Sequence, residues 1–311
     1  MKIATLFASW EKFGEKWGTP HAIRDELIRR GHEVTHYNLY HADGAILPKH
    51  TIRSYSNESI NRLMFDWRNG YRPDVIFCLD YGPWDALQFD KQYFPGAILV
   101  NENGDEPQSF RSHVQKSNRV HLMLSPDYPC VQLYQNNNIN AIWWTHHADE
   151  NIFYPRPEIQ EQFDCVTTCG SRGGGLTETI KAALGDAFNN ERYFYGEDHA
   201  KRLCMGKMVF QCSQYKEITR RIFEGMACGK MVITDRLSLE TKLHELFIEG
   251  EDIVFYDSAE DAIEKIRHYA SNDTERLRIA KNGYEKVMTY HTVKQRVDAF
   301  EQVVERVQND L

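Results

Sequence analysis

The sequence lacks the patterns that mark a dithiol redox protein or a membrane protein. It has seven cysteines but no Cys-x-x-Cys pair, and no apolar run is long enough to span a bilayer. Several cysteines lie in apolar, strand-like runs such as "DVIFCLD", so we expect buried, reduced thiols. Because the sequence opens on a predicted strand with no signal peptide in front of it, we expect a cytoplasmic protein without a membrane span.

An excess of positive charge is also missing. Lysine and arginine number 37 against 45 aspartates and glutamates, which gives a net charge of −8. This balance argues against general polyanion binding, although it leaves room for a local basic groove. The 13 histidines form no His-Glu-x-x-His set, and no glycine loop ends in Gly-Lys-Ser/Thr. Neither a zinc-protease site nor a P-loop is therefore predicted.

What the sequence does contain is a repeated alternation of apolar strand-like runs and amphipathic helices. The first series ends near "NAIWWTHH", and the stretch "NIFYPRPE" (151–158), with its two prolines, is typical of a linker. The second series has predicted strands at "FDCVTTCG", "RYFYG" and "KMVFQC", and predicted helices at "LTETIKAALGDAF" and "EITRRIFEGMACG". This order predicts two α/β sheets of parallel strands, with ligands beyond the carboxyl ends of the strands.

A glycine-rich loop, "CGSRGGGLTE", follows a strand of the second series and opens a helix. Its glycines allow close backbone approach to a ligand, and the start of the helix offers unpaired N–H groups. Arg172 adds a fixed positive fork suited to phosphate oxygens. The alternative is a flexible loop capped by Thr177 with Glu178.

A second motif, "TRRIFEGMACG", places Ile222, Phe223, Met226 and Ala227 on one helical face, which should pack on the sheet. Glu224 is adjacent to that face and close to the start of the helix, where the helix dipole favours a carboxylate. If partly buried, this carboxylate needs hydrogen-bond donors, and two neighbouring sugar hydroxyls would supply them. On periodicity alone, an ordinary glutamate paired with a neighbouring arginine is equally compatible.

The C-terminal part of the chain resembles the CgeB-like glycosyltransferases over roughly its last hundred residues. The shared pattern is R-x-F-E-x-x-A-x-G, a hydrophobic strand, L-F-x-x-G-x-x-I, E-x-A-I-x-x-I and a closing H-T-x-x-x-R. In this chain the pattern falls on Arg221, Phe223, Glu224, Ala227 and Gly229, on Leu246, Phe247, Gly250 and Ile253, and on His291, Thr292 and Arg296.

The resemblance implies a GT-B fold, in which two Rossmann-like domains face each other across a cleft. The implied domains are 1–152 on the acceptor side, 153–290 for the nucleotide-sugar, and 291–311 as a helix returning to the first domain. The implied donor-binding residues are Gly170, Ser171 and Arg172 at the diphosphate, Thr219, Arg220 and Arg221 near the diphosphate or sugar, Glu224 at the ribose, and Tyr195 and Gly196 at the base.

The resemblance indicates the catalytic residues less clearly than the donor-binding residues. Related retaining enzymes often carry two glutamates about two helical turns apart. Here Glu217 lies seven positions before Glu224, and the expected slot holds Lys216, so the stereochemical outcome stays open. An inverting enzyme needs a base, and Asp105 and Asp80 follow predicted strands of the first domain.

Asp105 and Asp80 each have a simpler alternative role as a turn residue. Further residues predicted on the acceptor side share positions just after predicted strands: Trp10, Gly14, Trp17, Gly18, Glu102 and His146. The two tryptophans could stack on a sugar or base, and His146 could instead be linker packing.

The expected reaction moves a sugar, from a UDP-sugar in preference, to an acceptor hydroxyl. The sequence has no Asp-x-Asp, the usual metal bridge of the other main transferase architecture, so we expect no metal and no cofactor besides the donor. The acceptor is open: a glycan, a protein, a small molecule or a modified DNA base, the last as in phage DNA-base glycosyltransferases. Two further alternatives are a non-catalytic nucleotide-sugar-binding protein and a nucleotide-sugar epimerase.

Overall fold

The computed structural model describes residues 1–7, 19–38, 57–79, 86–104, 106–108, 110–168, 175–191 and 194–310. The chain divides into two compact units. Unit 1 comprises Met1–Thr145 and Arg296–Leu311, and unit 2 comprises His146–Gln295. Each unit is built around its own parallel sheet.

The sheet of unit 1 has six strands among the described residues, in the order β2-β1-β3-β4-β5-β6, and all neighbouring strands are parallel. Its central strands are buried on both faces, which explains why they are continuous apolar runs rather than alternating ones. The elements in chain order are β1 (Lys2–Phe7), α1 (Thr19–Arg29), β2 (Glu33–Asn38), α2 (Asn57–Arg68), β3 (Val75–Cys78), β4 (Ile98–Glu102), α3 (Phe110–His113), β5 (Leu122–Ser125), α4 (Tyr128–Asn136) and β6 (Ala141–Trp143).

The sheet of unit 2 has five described strands in the order β11-β10-β9-β7-β8, again all parallel. Its elements are β7 (Phe163–Val166), α5 (Leu176–Leu184), β8 (Phe188–Asn189), α6 (Gly196–Cys204), β9 (Gly206–Gln211), α7 (Arg220–Ala227), β10 (Met231–Asp235), α8 (Leu243–Leu246), β11 (Val254–Tyr256), α9 (Ala259–Ser271) and α10 (Asp273–Tyr290).

The last helix, α11 (Val293–Asn309), begins in unit 2 and continues in unit 1. Within unit 1 the Phe300 ring stacks on Phe77 of β3, with ring centroids 4.3 Å apart. At the edge of this apolar contact, Arg30, directly after α1, pairs with Asp298 at 2.6 Å and with Glu301 at 2.9 Å. The chain therefore returns to its first sheet, as the GT-B resemblance implies.

Two sequence predictions in unit 2 are wrong in detail. The predicted strand "RYFYG" is not a strand in its described part, because α6 begins at Gly196 with Tyr195 as its N-cap. Acidic residues in the first turn of α6 and basic residues in its last turn complement the helix dipole, a signal that favours a helix. The helix predicted for "LTETIKAALGDAF" ends at Leu184, because Gly185 adopts φ +56 and terminates it.

Among the helices that the structure describes, none combines the length and the apolar character needed to cross a membrane.

Candidate functional site

Several polar groups of unit 2 lie where helix α7 begins, after β9 in the chain. Thr219 is the N-cap of α7 and has extended backbone angles, but its side chain makes no cap hydrogen bond. In the described part of the chain, Thr219 Oγ1 and Arg220 Nε are buried without a hydrogen-bond partner. The first N–H groups of a helix also lack intrahelical partners. The start of α7 therefore presents several hydrogen-bond donors together with the positive end of the helix dipole, an arrangement suited to an anion.

The inner face of α7 packs on the sheet, as its periodicity predicts. Ile222, Phe223, Met226 and Ala227 are all at most 1% exposed. Gly225 brings the helix close to the strands, since a Cβ at this position would lie 3.0 Å from Val232 Cγ2. The orientation of α7 is thereby fixed, and with it the position of Glu224 at the edge of the buried face.

An aromatic cluster behind α7 explains several positions of the resemblance pattern. The ring of Phe223 lies 5.6 Å from Phe247 and 5.2 Å from His291, measured between centroids. The ring of Phe247 in turn lies 5.7 Å from His291. These residues, which come from three separate parts of the pattern, support the helix rather than facing a ligand.

Glu224 is 8% exposed, so its carboxylate is largely removed from water. Within the described residues its carboxylate faces His199 of α6, with Nδ1 3.7 Å from Glu224 Oε2. That distance is too long for a hydrogen bond. Neither Arg220 nor Arg221 forms an ion pair with Glu224 among the described residues, so the alternative in which Glu224 pairs with an arginine of its own helix is wrong.

His199 is itself held from two other elements. Its Nε2 lies 2.9 Å from the hydroxyl of Thr168, which follows β7, and its ring meets Phe153 edge to face at 5.5 Å. Burial lowers the pKa of His199; the nearby Glu224 carboxylate opposes this shift and Arg221 reinforces it. The imidazole is therefore neutral at pH 7. Neither His199 nor Thr168 was predicted as a site residue, because Thr168 falls inside the predicted strand "FDCVTTCG", whereas β7 ends at Val166.

His146 lies in unit 2, beside the start of α7. Its ring is 6.4 Å from that of Phe223, and burial together with the positive charge of Arg220 lowers the pKa of His146 to about 3. The sequence prediction placed His146 on the acceptor side, whereas the structure places it in the same unit as the predicted donor-binding residues. Its packing against Phe223 agrees with the simpler alternative of a structural role.

The loop before α7 is anchored to Asp235, the last residue of β10. The Ser213 N–H donates to Asp235 Oδ1 at 2.9 Å, and Lys216 Nζ reaches Asp235 Oδ2 at 3.1 Å. The Glu217 N–H donates to Ser213 Oγ at 2.7 Å. Lys216 has φ +58, so the backbone reverses locally just before Glu217. The anchoring role of Asp235 was not predicted, because in the sequence this residue is simply the end of a buried strand.

Unit 1 has a separate buried polar network at the carboxyl ends of β4 and β5. The Glu106 carboxylate accepts hydrogen bonds from Asn103 Nδ2 at 2.8 Å, from Ser125 Oγ at 2.6 Å and from the Tyr134 hydroxyl. Burial raises the pKa of Glu106, and these three hydrogen bonds oppose the shift. Glu102, predicted on the acceptor side, is the last residue of β4 and is 4% exposed.

Other predicted site residues lie outside the described part of the chain. They are Trp10, Gly14, Trp17, Gly18, Asp80, Asp105, Gly170, Ser171 and Arg172. Of the neighbouring positions that are described, Gly175 is the N-cap of α5, so the alternative in which Thr177 caps this helix is wrong.

Part of the chain that contains these features matches a known protein family. Residues 167–302 match the model of a family described as "Glycosyl transferase-like". This segment contains Thr168, His199 and the whole of α7. A search of curated proteins finds no match.

Several solved structures share the fold over the whole chain. Sucrose-phosphate synthase from Thermosynechococcus elongatus has a TM-score of 0.74 at 12% identity, covering 100% of both chains. Anabaena Alr3699/HepE in complex with UDP-glucose has a TM-score of 0.67 at 13% identity, again covering 100% of both chains. AviGT4, a glycosyltransferase involved in avilamycin A biosynthesis, has a TM-score of 0.65 at 11% identity, covering 100% of this chain and 99% of that one. The chain has the GT-B fold of these proteins.

Proposed function

We propose that this chain is a glycosyltransferase, of the CgeB-like type, that moves a sugar from a nucleotide diphosphate to an acceptor hydroxyl. The observation that carries the proposal is the buried Glu224 carboxylate, about one and a half helical turns after the unpartnered donors of Thr219 and Arg220. The donors at the start of α7 suit a diphosphate, and the carboxylate farther along the helix suits the hydroxyls of the attached ribose.

In this proposal Glu224 accepts hydrogen bonds from the two ribose hydroxyls. Hydrogen bonds to a charged acceptor are stronger than those between neutral groups, and they offset the free-energy penalty of burying the carboxylate. A small part of Glu224 stays accessible to a ligand, because this residue lies at the edge of the buried face, whereas Phe223 and Met226 are fully buried.

The diphosphate would lie at the start of α7. The N–H groups of the first turn, Thr219 and the guanidinium of Arg220 offer donors there, and Arg221 adds positive charge. We propose that Ser171 and Arg172, which lie outside the described residues, also bind the diphosphate. Negative charge grows on the leaving diphosphate during transfer, so preorganised donors at this position stabilise the transition state more than the ground state. We propose that this arrangement works without a metal ion.

UDP is the favoured nucleotide because Alr3699/HepE, which shares the fold, was crystallised with UDP and with UDP-glucose. Tyr195 and Gly196, at the start of α6, are proposed to lie near the base. Asp105 and Asp80 remain the candidate bases, and Glu217 remains the candidate for contact with the donor sugar. The transferred sugar is a hexose or a pentose, and the product experiment below identifies both the sugar and the acceptor.

The first experiment measures nucleotide binding. Thermal unfolding of the parent chain with UDP, GDP, ADP and dTDP should show a clear rise in Tm with one of them, UDP being expected. A ligand at 100 times its Kd stabilises by about 2.7 kcal/mol. Glu224→Gln should weaken binding at least about tenfold, because it removes a charged acceptor. Glu245→Gln, at an exposed glutamate of the same unit, is the matched control and should bind like the parent.

The second experiment identifies the product from a UDP-sugar and a panel of acceptors, including hydroxymethylated DNA. A glycoside that Glu224→Ala fails to form supports the transferase. A new nucleotide-sugar would indicate the epimerase instead, and binding without turnover would indicate the non-catalytic alternative. If no nucleoside diphosphate raises the Tm of the parent chain, the proposal is wrong.

A further inference from the structure

The structure connects the proposed ribose ligand to a histidine on a different helix. His199 of α6 lies between Thr168, just past β7, and Glu224 of α7, and it is 8% exposed. Its two ring nitrogens face these two side chains, Nε2 toward Thr168 at 2.9 Å and Nδ1 toward Glu224 at 3.7 Å. None of the positions of the resemblance pattern falls on His199 or Thr168.

A neutral imidazole has one donor and one acceptor nitrogen, so the partner of one nitrogen determines the role of the other. The Thr168 hydroxyl can donate to Nε2, and this leaves the proton on Nδ1, pointing toward the Glu224 carboxylate. Among the described residues, the charged groups that act on the ring are Glu224, which favours its protonation, and Arg221, which opposes it.

We propose that His199 is a positioning residue that orients Glu224 for the donor ribose, with Thr168 setting its tautomer. This inference rests on the proposed function. The Nδ1–H attracts Oε2 of the carboxylate and so restricts the rotamer of Glu224. The second oxygen and the remaining lone pair of Oε2 are then directed toward the ligand. The expected consequence is discrimination between a ribose and a deoxyribose.

A purely structural role for His199 makes a different prediction. The edge-to-face contact with Phe153 depends on ring shape rather than on the nitrogens, so a phenyl ring would preserve it. Loss of packing would also weaken the binding of every nucleotide alike. The ratio of two affinities separates the two roles, because any fraction of misfolded protein cancels from it.

The experiment measures the Kd of UDP and of 2′-deoxy-UDP by calorimetry on the full chain. His199→Phe keeps the ring and removes both nitrogens. His199→Asn places an amide nitrogen near the position of Nδ1, and Thr168→Val removes the hydroxyl at nearly constant volume. All four proteins, including the parent, are measured under the same conditions.

We expect the parent to prefer UDP over 2′-deoxy-UDP. In His199→Phe the affinity for UDP should fall severalfold, less than for a full hydrogen bond to a charged group because Nδ1 lies 3.7 Å from Oε2, while that for 2′-deoxy-UDP falls less. The preference should therefore shrink. His199→Asn should recover part of it, and Thr168→Val should change it in the same direction as His199→Phe.

An unchanged preference in His199→Phe, or an equal loss of affinity for both nucleotides, would overturn the inference while leaving the proposed function intact. If the parent chain does not bind UDP at all, the proposed UDP-dependent function fails, and the positioning role fails with it.

Discussion

Gly283→Ala tests how tightly helix α10 is held against the turn formed by residues 248–252. A Cβ at position 283 would lie 2.7 Å from the backbone oxygen of Asp252 and 3.3 Å from Met226 Cγ of α7. Real Cβ atoms essentially never approach another heavy atom this closely, so either the helix or the turn has to shift.

The turn is not free to move away. Three side chains of α10, spaced four residues apart on one face, bind it. Arg278 Nη2 donates to the Gly250 oxygen at 2.8 Å, Asn282 Nδ2 donates to the Glu251 oxygen at 3.0 Å, and Lys286 Nζ reaches Asp252 Oδ2 at 2.6 Å. A shift of a few tenths of an ångström would strain all three contacts.

Two effects of opposite sign set the magnitude. Alanine in place of glycine in a helix stabilises it by about 1 kcal/mol. Overpacking a close contact costs about 1–3 kcal/mol, and weakening the hydrogen bonds of the turn adds to this cost. The steric effect should win, with a net loss of about 1–2 kcal/mol in the local free energy of opening.

Hydrogen exchange followed by mass spectrometry is the suitable assay, because it reports the free energy of opening for each segment and the chain has two units. We expect faster exchange of the α10 and α7 amides in Gly283→Ala. The control pair is Lys281→Gly and Lys281→Ala at an exposed position of the same helix, which measures the glycine-to-alanine difference without a clash. If Gly283→Ala gains the stability measured at position 281, the reasoning about the close contact is refuted.

Two further predictions concern other parts of the chain. Arg30→Met breaks the 2.8 Å ion pair with the buried Glu26 and two pairs with α11, so the free energy of unfolding should fall by about 2 kcal/mol, against less than about 1 kcal/mol for the more exposed Arg29→Met. Equal losses in denaturant titrations of the two variants would contradict this difference. The second prediction concerns His146, whose pKa is lowered to about 3 by burial and by Arg220. The unfolded chain then binds the extra proton between about pH 6.5 and 3, so the folded state loses stability as the pH falls through this window. Relative to His146→Gln, the parent should lose up to about 3 kcal/mol by pH 4.5 and nothing above pH 7.5. A pH-independent difference in unfolding free energy between the two proteins would show that this histidine titrates normally.

The order of strands and helices was predictable because it depends on local patterns. Runs such as "DVIFCLD" and "KMVITD" are apolar on both faces, which is typical of central parallel strands. The apolar face of α7 was also predicted correctly, because its period of 3.6 residues decides which side chains meet the sheet. In its described part, the strand predicted at "RYFYG" is wrong, because aromatic residues favoured a strand while the charges of α6, farther along the chain, favoured a helix.

The candidate site was only partly predictable. Glu224 could be singled out from its place beside an apolar helical face and from the resemblance, whereas the roles of His199 and Asp235 could not. Neither residue belongs to a motif, and each is ordinary in its local surroundings, one within an amphipathic helix and the other at the end of a strand. Their roles arise from what they contact.

The sequence by itself determined the alternation of elements, the parallel character of both sheets and the chemical type of the Glu224 position. These follow from periodicity and from burial, which are properties of neighbouring residues. Only the tertiary structure decided that Glu224 faces His199 and that His199 faces Thr168, a residue 31 positions earlier in the chain. The physical reason is that a parallel sheet gathers the carboxyl ends of its strands at one edge, and the side chains that meet there come from loops and helices with no local pattern in common.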